Sequence, residues 1–171
     1  MKFMTLLYGR GSVRTTLLII AASGIASAEF RRIELEVRDM DCASCVNSLR
    51  NSFKRIRGVE SADIAPERSN LILTLAAENK IALDRVRDMI KGAGFTPRMA
   101  TVIVRGKAIT DQGKWEFEVE GISQKYLLVA SDDKLIGDLQ KGGVITIEAT
   151  SPPLPDPRAQ PSLQVKKLIL P

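Results

Sequence analysis

The 171-residue chain contains no histidine and only two cysteines. Closed structural zinc sites take four ligands, usually cysteine or histidine. With no histidine and no third cysteine, such a site cannot be assembled from these residues. Acidic residues are missing from the first 28 positions, which instead carry Lys2, Arg10 and Arg14. Long apolar runs are also missing. The longest, Leu17 to Ala26, is interrupted at Ser23 and Gly24 and is too short to span a bilayer comfortably. It is followed by Ala26-Ser27-Ala28. A basic region, a short apolar core and an A-x-A site in that order make a secretory signal peptide over residues 1–28, with cleavage expected after Ala28. No cysteine stands near that site, as a lipoprotein would need, and no Arg-Arg pair precedes the apolar core.

Cleavage alters the charge argument. The whole chain has 25 basic and 20 acidic residues, but all the acids lie beyond Ala28, so the mature chain keeps 22 bases against 20 acids and a net charge of +2. The basic character therefore belongs partly to the export segment, and nucleic-acid binding loses its main support. The expected location is periplasmic or secreted, with no stable membrane insertion after cleavage.

What is present is a regular switching of hydrophobic period. Ile33, Leu35 and Val37 alternate with Glu34 and Glu36, the pattern of a strand with one buried face. Val46, Leu49, Phe53 and Ile56 then recur at helical spacing, opposite Asn47, Arg50, Lys54 and Arg57, and Gly58 can end the helix. Val59 to Ile64 and Leu71 to Leu75 read as strands joined through the turn-rich segment 66–70. A second helix is predicted with Asn79 as N-cap and Leu83, Val86, Met89, Ile90 and Ala93 toward the core. Phe95 to about Met99 returns as a strand. The order is βαββαβ, a ferredoxin-like sandwich of α+β class, expected to complete its own core over residues 29–99.

Residues 100–171 read as a small all-β domain. Strands are predicted at Thr101 to Val104, around Trp115, Phe117 and Val119, at Lys125 to Ala130, Val144 to Ala149 and Leu163 to Ile169. A short helix is predicted from Asp132 to Leu139, and a proline-rich loop over 151–161. Five short strands with a helix between the third and fourth resemble an OB-like barrel. Oligonucleotide binding is the function that shape suggests, but Glu116, Glu118 and Glu120 on the most aromatic strand repel a phosphate backbone, which favours a supporting or protein-binding role.

The candidate site is Met40-Asp41-Cys42-Ala43-Ser44-Cys45, where the first strand hands over to the first helix. Two cysteines three apart can turn both sulfurs to one point, and a helix N-terminus favours thiolate over thiol. Two soft thiolates suit an ion content with two-coordinate binding, Cu(I) or alternatively Hg(II). Two other readings stand beside metal binding: a structural disulfide, and a thiol-disulfide oxidoreductase using the same pair. Arg50, Lys54 and Arg57 read as a solvated helix face, or as a surface that docks an acidic partner during transfer.

Met-x-Cys-x-x-Cys at this position, followed by Gly58-Val59-Glu60-Ser61-Ala62 and by Ala93-Gly94-Phe95, resembles the heavy-metal-associated domain of copper chaperones, copper-transporting P-type ATPases and the periplasmic mercury-binding protein. The resemblance covers about residues 31–99. It implies Cys42 and Cys45 as metal ligands, Met40 packed under the loop, Phe95 near the metal, no catalytic activity, and a protein metal donor or acceptor as partner. The chain departs from the pattern at Asp39, where the family usually has Gly, and at Asp41, where it usually has Thr. Val46 after the second cysteine matches the copper ATPases and favours copper over mercury.

Overall fold

The computed structural model describes residues 29–169 apart from positions 120, 131, 132, 141, 155 and 157. The proposed export segment 1–28 lies outside the described residues. The first unit has the expected ferredoxin-like order. Strand β1 (Phe30–Arg38) leads to helix α1 (Ala43–Lys54), strands β2 (Val59–Ala65) and β3 (Asn70–Leu75), helix α2 (Leu83–Gly92) and strand β4 (Thr96–Asp111). β1 lies between β3 and β4, antiparallel to both. Its alternation sets one buried face: Ile33 is level with Leu73 and Val102, and Leu35 with Leu71 and Ala100, all with no exposed surface. Val46, Leu49 and Phe53 of α1 and Leu83, Val86 and Ile90 of α2 cover that face. Each large apolar side chain buried there contributes about 2 kcal/mol. Exposed pairs such as Arg38 with Glu36, at 3.6 Å, contribute about 1 kcal/mol or less, so the apolar layer decides the packing.

The second unit begins inside the first. Two strands were expected at Phe95 to Met99 and Thr101 to Val104, but β4 runs unbroken through both and continues to Asp111. The boundary placed between residues 99 and 100 falls within it. One edge of β4 pairs with β1 as far as Val104 and then with β5 (Lys114–Glu118) from Lys107, while the other edge pairs with β7 (Val144–Ser151). β5 pairs with β6 (Lys125–Val129), β6 runs parallel to β8 (Ser162–Ile169), and β8 returns to β7. These five strands close on themselves, with helix α3 (Asp133–Gln140) between β6 and β7. Val104, Phe117, Tyr126, Ile147 and Leu163 are among the side chains buried in this unit.

Asn79 does not cap α2 as expected. The cap position belongs to Ala82, which supplies no side-chain bond. Asn79 is buried instead, donating to Phe30 O and Ala76 O at 2.8 Å each and accepting from Ile81 N at 3.1 Å. Satisfying two backbone groups of the segment before the helix and one of β1 is worth more than one cap bond. Ala93, expected toward the core, is exposed because the helix has ended at Gly92.

The two units share a polar seam. Arg87 of α2 is 3% exposed and donates to Ser151 O and Pro152 O at 2.8 Å and to Ser151 Oγ at 3.2 Å. Burial lowers its pKa, opposed by Asp84 at 3.6 Å. Gln124 bridges Asp84 and the Tyr126 hydroxyl, and the Tyr126 ring meets Phe30 edge-on at 5.9 Å. Burial, reinforced by Asp84, holds the Tyr126 phenol well above its ordinary value. Among the described residues no helix is long and apolar enough to cross a membrane.

Gly106 marks the corner where β4 passes from β1 to β5. A Cβ there would stand 2.4 Å from Glu118 O and 2.7 Å from the Phe117 ring. Backbone cannot yield as a flexible side chain does, so Gly106→Ala is expected to destabilise the protein by about 1–3 kcal/mol, read from urea unfolding. A wild-type midpoint in that variant would show that the corner relaxes freely.

Candidate metal centre

Residues 39–42 carry the chain from β1 to α1. Asp39 turns it with φ 69°, a left-handed conformation that glycine adopts without steric cost. Aspartate is one of the few residues that tolerates it, because its short carboxylate can bond locally. Here the carboxylate accepts from Thr96 Oγ1 at 2.6 Å, tying the start of the loop to the start of β4. The Gly-to-Asp departure thus keeps the turn and adds a latch.

Cys42 is the N-cap of α1, in an extended conformation, and its Sγ accepts from Cys45 N at 3.3 Å. Ser44 Oγ lies 3.2 Å from the same sulfur. These are the donors that negative charge on sulfur would use, and the first turn of α1 contains no acidic residue to oppose them. Cys45 stands one turn on, with the two Cα atoms 5.2 Å apart, and the two sulfurs are joined as a disulfide. Both residues are exposed. The structure therefore brings together the two cysteines singled out from the sequence, in their oxidised form.

The surroundings limit what this pair can do. Among the described residues no group of three or more His, Cys, Asp or Glu side chains is placed to hold a metal. Met40 is half-buried and packs against the core. Phe95, which the resemblance places near the metal, is 6% exposed and belongs to the core, where its N–H donates to Ile90 O at 3.1 Å. On the basic helix face, Arg50 donates to Ile64 O at 3.1 Å and to Asn47 Oδ1 at 3.3 Å, so it secures α1 to β2, while Lys54 and Arg57 are exposed. The Asp39–Thr96 bond and the Ser44 hydroxyl escaped sequence reasoning. Ser44 stands inside the motif, but nothing marks a bond between partners 57 residues apart.

Residues 34–96 match the family model of the heavy-metal-associated domain, and this part of the chain is such a domain. Among solved structures, the chain is similar to the yeast copper transporter domain CCC2A, determined in apo and Cu(I) load states. The identity is 25%, over 39% of this chain and 90% of that one, with a TM-score of 0.36. It is similar to the CopZ metallochaperone at 26% identity over 39% of this chain and 97% of that one, also with a TM-score of 0.36. A copper binding domain from HMA7, a P-type ATPase, is 26% identical over 42% of this chain and 92% of that one, again at a TM-score of 0.36. No curated protein sequence matches the chain.

The geometry at Asp39 separates two substitutions. Asp39→Ala keeps a Cβ in the left-handed region and loses the acceptor for Thr96, so it is expected to cost about 1–2 kcal/mol. In Asp39→Gly the relieved backbone offsets part of the lost bond. Urea unfolding of both variants checks the order, and equal losses would mean that backbone conformation plays no part.

Proposed function

We propose that this chain, whose residues 34–96 form a heavy-metal-associated domain, carries or sequesters one thiophilic metal ion between the thiolates of Cys42 and Cys45. The observation that carries the reading is the placement of both sulfurs at one exposed point on the N-terminus of α1, with the Cys45 N–H directed at Cys42 Sγ. Two soft anionic donors without a third ligand fit linear two-coordinate binding, so the cargo is Cu(I), with Hg(II) as the alternative. Loading requires that the disulfide first be reduced. An exposed two-ligand site also leaves room for an incoming thiolate, the chemistry by which a protein donor or acceptor would exchange the ion.

The closed five-strand unit is read as an OB-like barrel, supported by its meander β4-β5-β6, the parallel β6–β8 pair and the helix before β7. Its role is to support the metal domain, since it shares β4 and the Arg87 seam with it. The protein is assigned to the periplasm or the exterior on the strength of residues 1–28. The fold is compatible with cleavage after Ala28, because Glu29 is already held in place, exchanging backbone bonds with Arg105 at 2.9 and 2.8 Å.

Reduced protein is expected to take up one Cu(I) per chain, measured by competition against a chromogenic chelator. Cys42→Ser and Cys45→Ser should each weaken binding by at least a hundredfold, because a neutral hydroxyl does not replace a soft anion. Oxidised protein should not load, and acid should release the metal as protons compete for sulfur. Both variants should stay folded, since a bridge closing so short a loop contributes only about 2 kcal/mol. Affinities within a fewfold of wild type would sink the two-thiolate site, and disulfide-exchange activity in metal-free protein would favour the oxidoreductase reading. For export, the N-terminal residue of protein recovered outside the cytoplasm is expected to be Glu29; an intact Met1 there would contradict cleavage.

A further inference from the structure

β1 runs toward the cysteine loop and α1 runs away from it, so the C-terminus of α1, the start of β2, the end of β3 and the start of α2 meet at the opposite end of the domain. A cavity of about 910 Å³ opens there. Its wall carries four cations, Arg55, Arg57, Lys80 and Arg85, against a single carboxylate, Glu78. Among the described residues none of the four forms an ion pair. Some exposed cations elsewhere are paired, Arg31 with Glu29 at 2.7 Å and Lys167 with Glu148 at 3.0 Å, while others such as Lys91 and Lys166 form no ion pair among the described residues. What distinguishes these four is that they line one concave site.

The floor of the cavity is built rather than loose. Gly58, at φ 97°, lets Asn79 pack so closely that a Cβ would stand 2.9 Å from the Asn79 Cβ. Ala76 N donates to Gly58 O at 2.9 Å, and Asn79 fixes the neighbouring backbone from the buried side. Glu78 holds φ 59° while its N–H donates to the buried carboxylate of Glu29. Three guanidinium forks and an ammonium thus surround a concave site whose backbone is fixed. Like charges gathered in a cleft focus a positive potential on it, and guanidinium forks match the oxygens of phosphate in pairs. The first N–H groups of α2, which lack a side-chain cap, add to the same field.

We propose that this cavity binds a soluble, multiply charged phosphate compound, a polyphosphate or a phosphate ester of small-molecule size. The volume lies in the range of small-molecule sites, and the charge calls for more than one negative group. The site is separate from the cysteines, so it is tested with metal-free, disulfide-bonded mature protein, independently of the metal reading. Calorimetric titration with inorganic pyrophosphate is expected to show one saturable site that persists at 150 mM salt, with orthophosphate at least tenfold weaker. Arg57→Gln combined with Arg85→Gln should weaken pyrophosphate at least tenfold. Both side chains are exposed and unpaired, so the fold is retained, and a wild-type unfolding midpoint verifies it. Lys91→Gln, in the last turn of α2 at the far end of the helix, should bind as wild type does. The proposal is overturned by the absence of saturable binding, by equal losses in the Lys91 variant, or by co-sedimentation with phosphatidic acid vesicles in place of pyrophosphate binding.

Discussion

One strand belongs to two structures. β4 completes the ferredoxin-like sheet against β1 and then, past Gly106, becomes a stave of the closed five-strand unit, with β7 along its other edge. Every buried layer depends on this sharing. Val102 faces the helices of the first unit, Val104 lies at the crossing, and the chain changes partners within two residues, which a side chain at position 106 would obstruct. The cysteine loop hangs from the same strand, because Thr96, the first residue of β4, donates to the carboxylate of Asp39. The loop is therefore positioned by the barrel-forming strand as well as by the sheet on which it sits.

The seam at Arg87 follows from this arrangement. Once β4 and β7 run side by side to Ser151, the end of β7 lies under α2, and its carbonyl groups would be buried without donors. Arg87 supplies them. A buried guanidinium loses solvation, which is the main reason its pKa falls, and Asp84 restores only part of the loss at 3.6 Å. The gain lies in satisfying two backbone carbonyls and a hydroxyl at once, since each would cost about 1–3 kcal/mol if left without a partner. A shorter side chain could not reach all three.

Features that the sequence made legible are those encoded within a few residues. The alternation at Ile33, Leu35 and Val37, the helical spacing of Val46, Leu49 and Phe53, and the Cys-x-x-Cys pair are local, and the structure keeps them. The continuity of β4 was hidden because its two halves serve different units, so that Phe95 to Met99 and Thr101 to Val104 read as separate strands, and Lys107 to Thr110 show no clear alternation beyond them. Asn79 looked like a helix cap because capping is the local use of asparagine, whereas its bond to Phe30 O spans 49 residues. Arg87 with Ser151, 64 residues apart, has no local signature either. At the site, the Cys42–Cys45 pair and its place at the start of α1 were readable. The latch on Asp39 and the burial of Phe95 required the packed molecule.

The energetics leave the sulfurs free to change state. The Cys42–Cys45 bridge closes so short a loop that its entropic contribution, about 2 kcal/mol, equals that of one buried leucine. The apolar layer beneath the loop, Val46, Leu49 and Phe53, lies on the opposite side of α1 from solvent and includes neither sulfur. Opening the bridge therefore exposes no core, and the Asp39 latch and Met40 packing hold the loop ends without it. The Cys45 N–H directed at Cys42 Sγ and the Ser44 hydroxyl beside it can serve a bridged sulfur, a free thiolate or a metal-bound one. A fold that is indifferent to the state of its site permits the same surface loop to be reduced, loaded and emptied without unfolding.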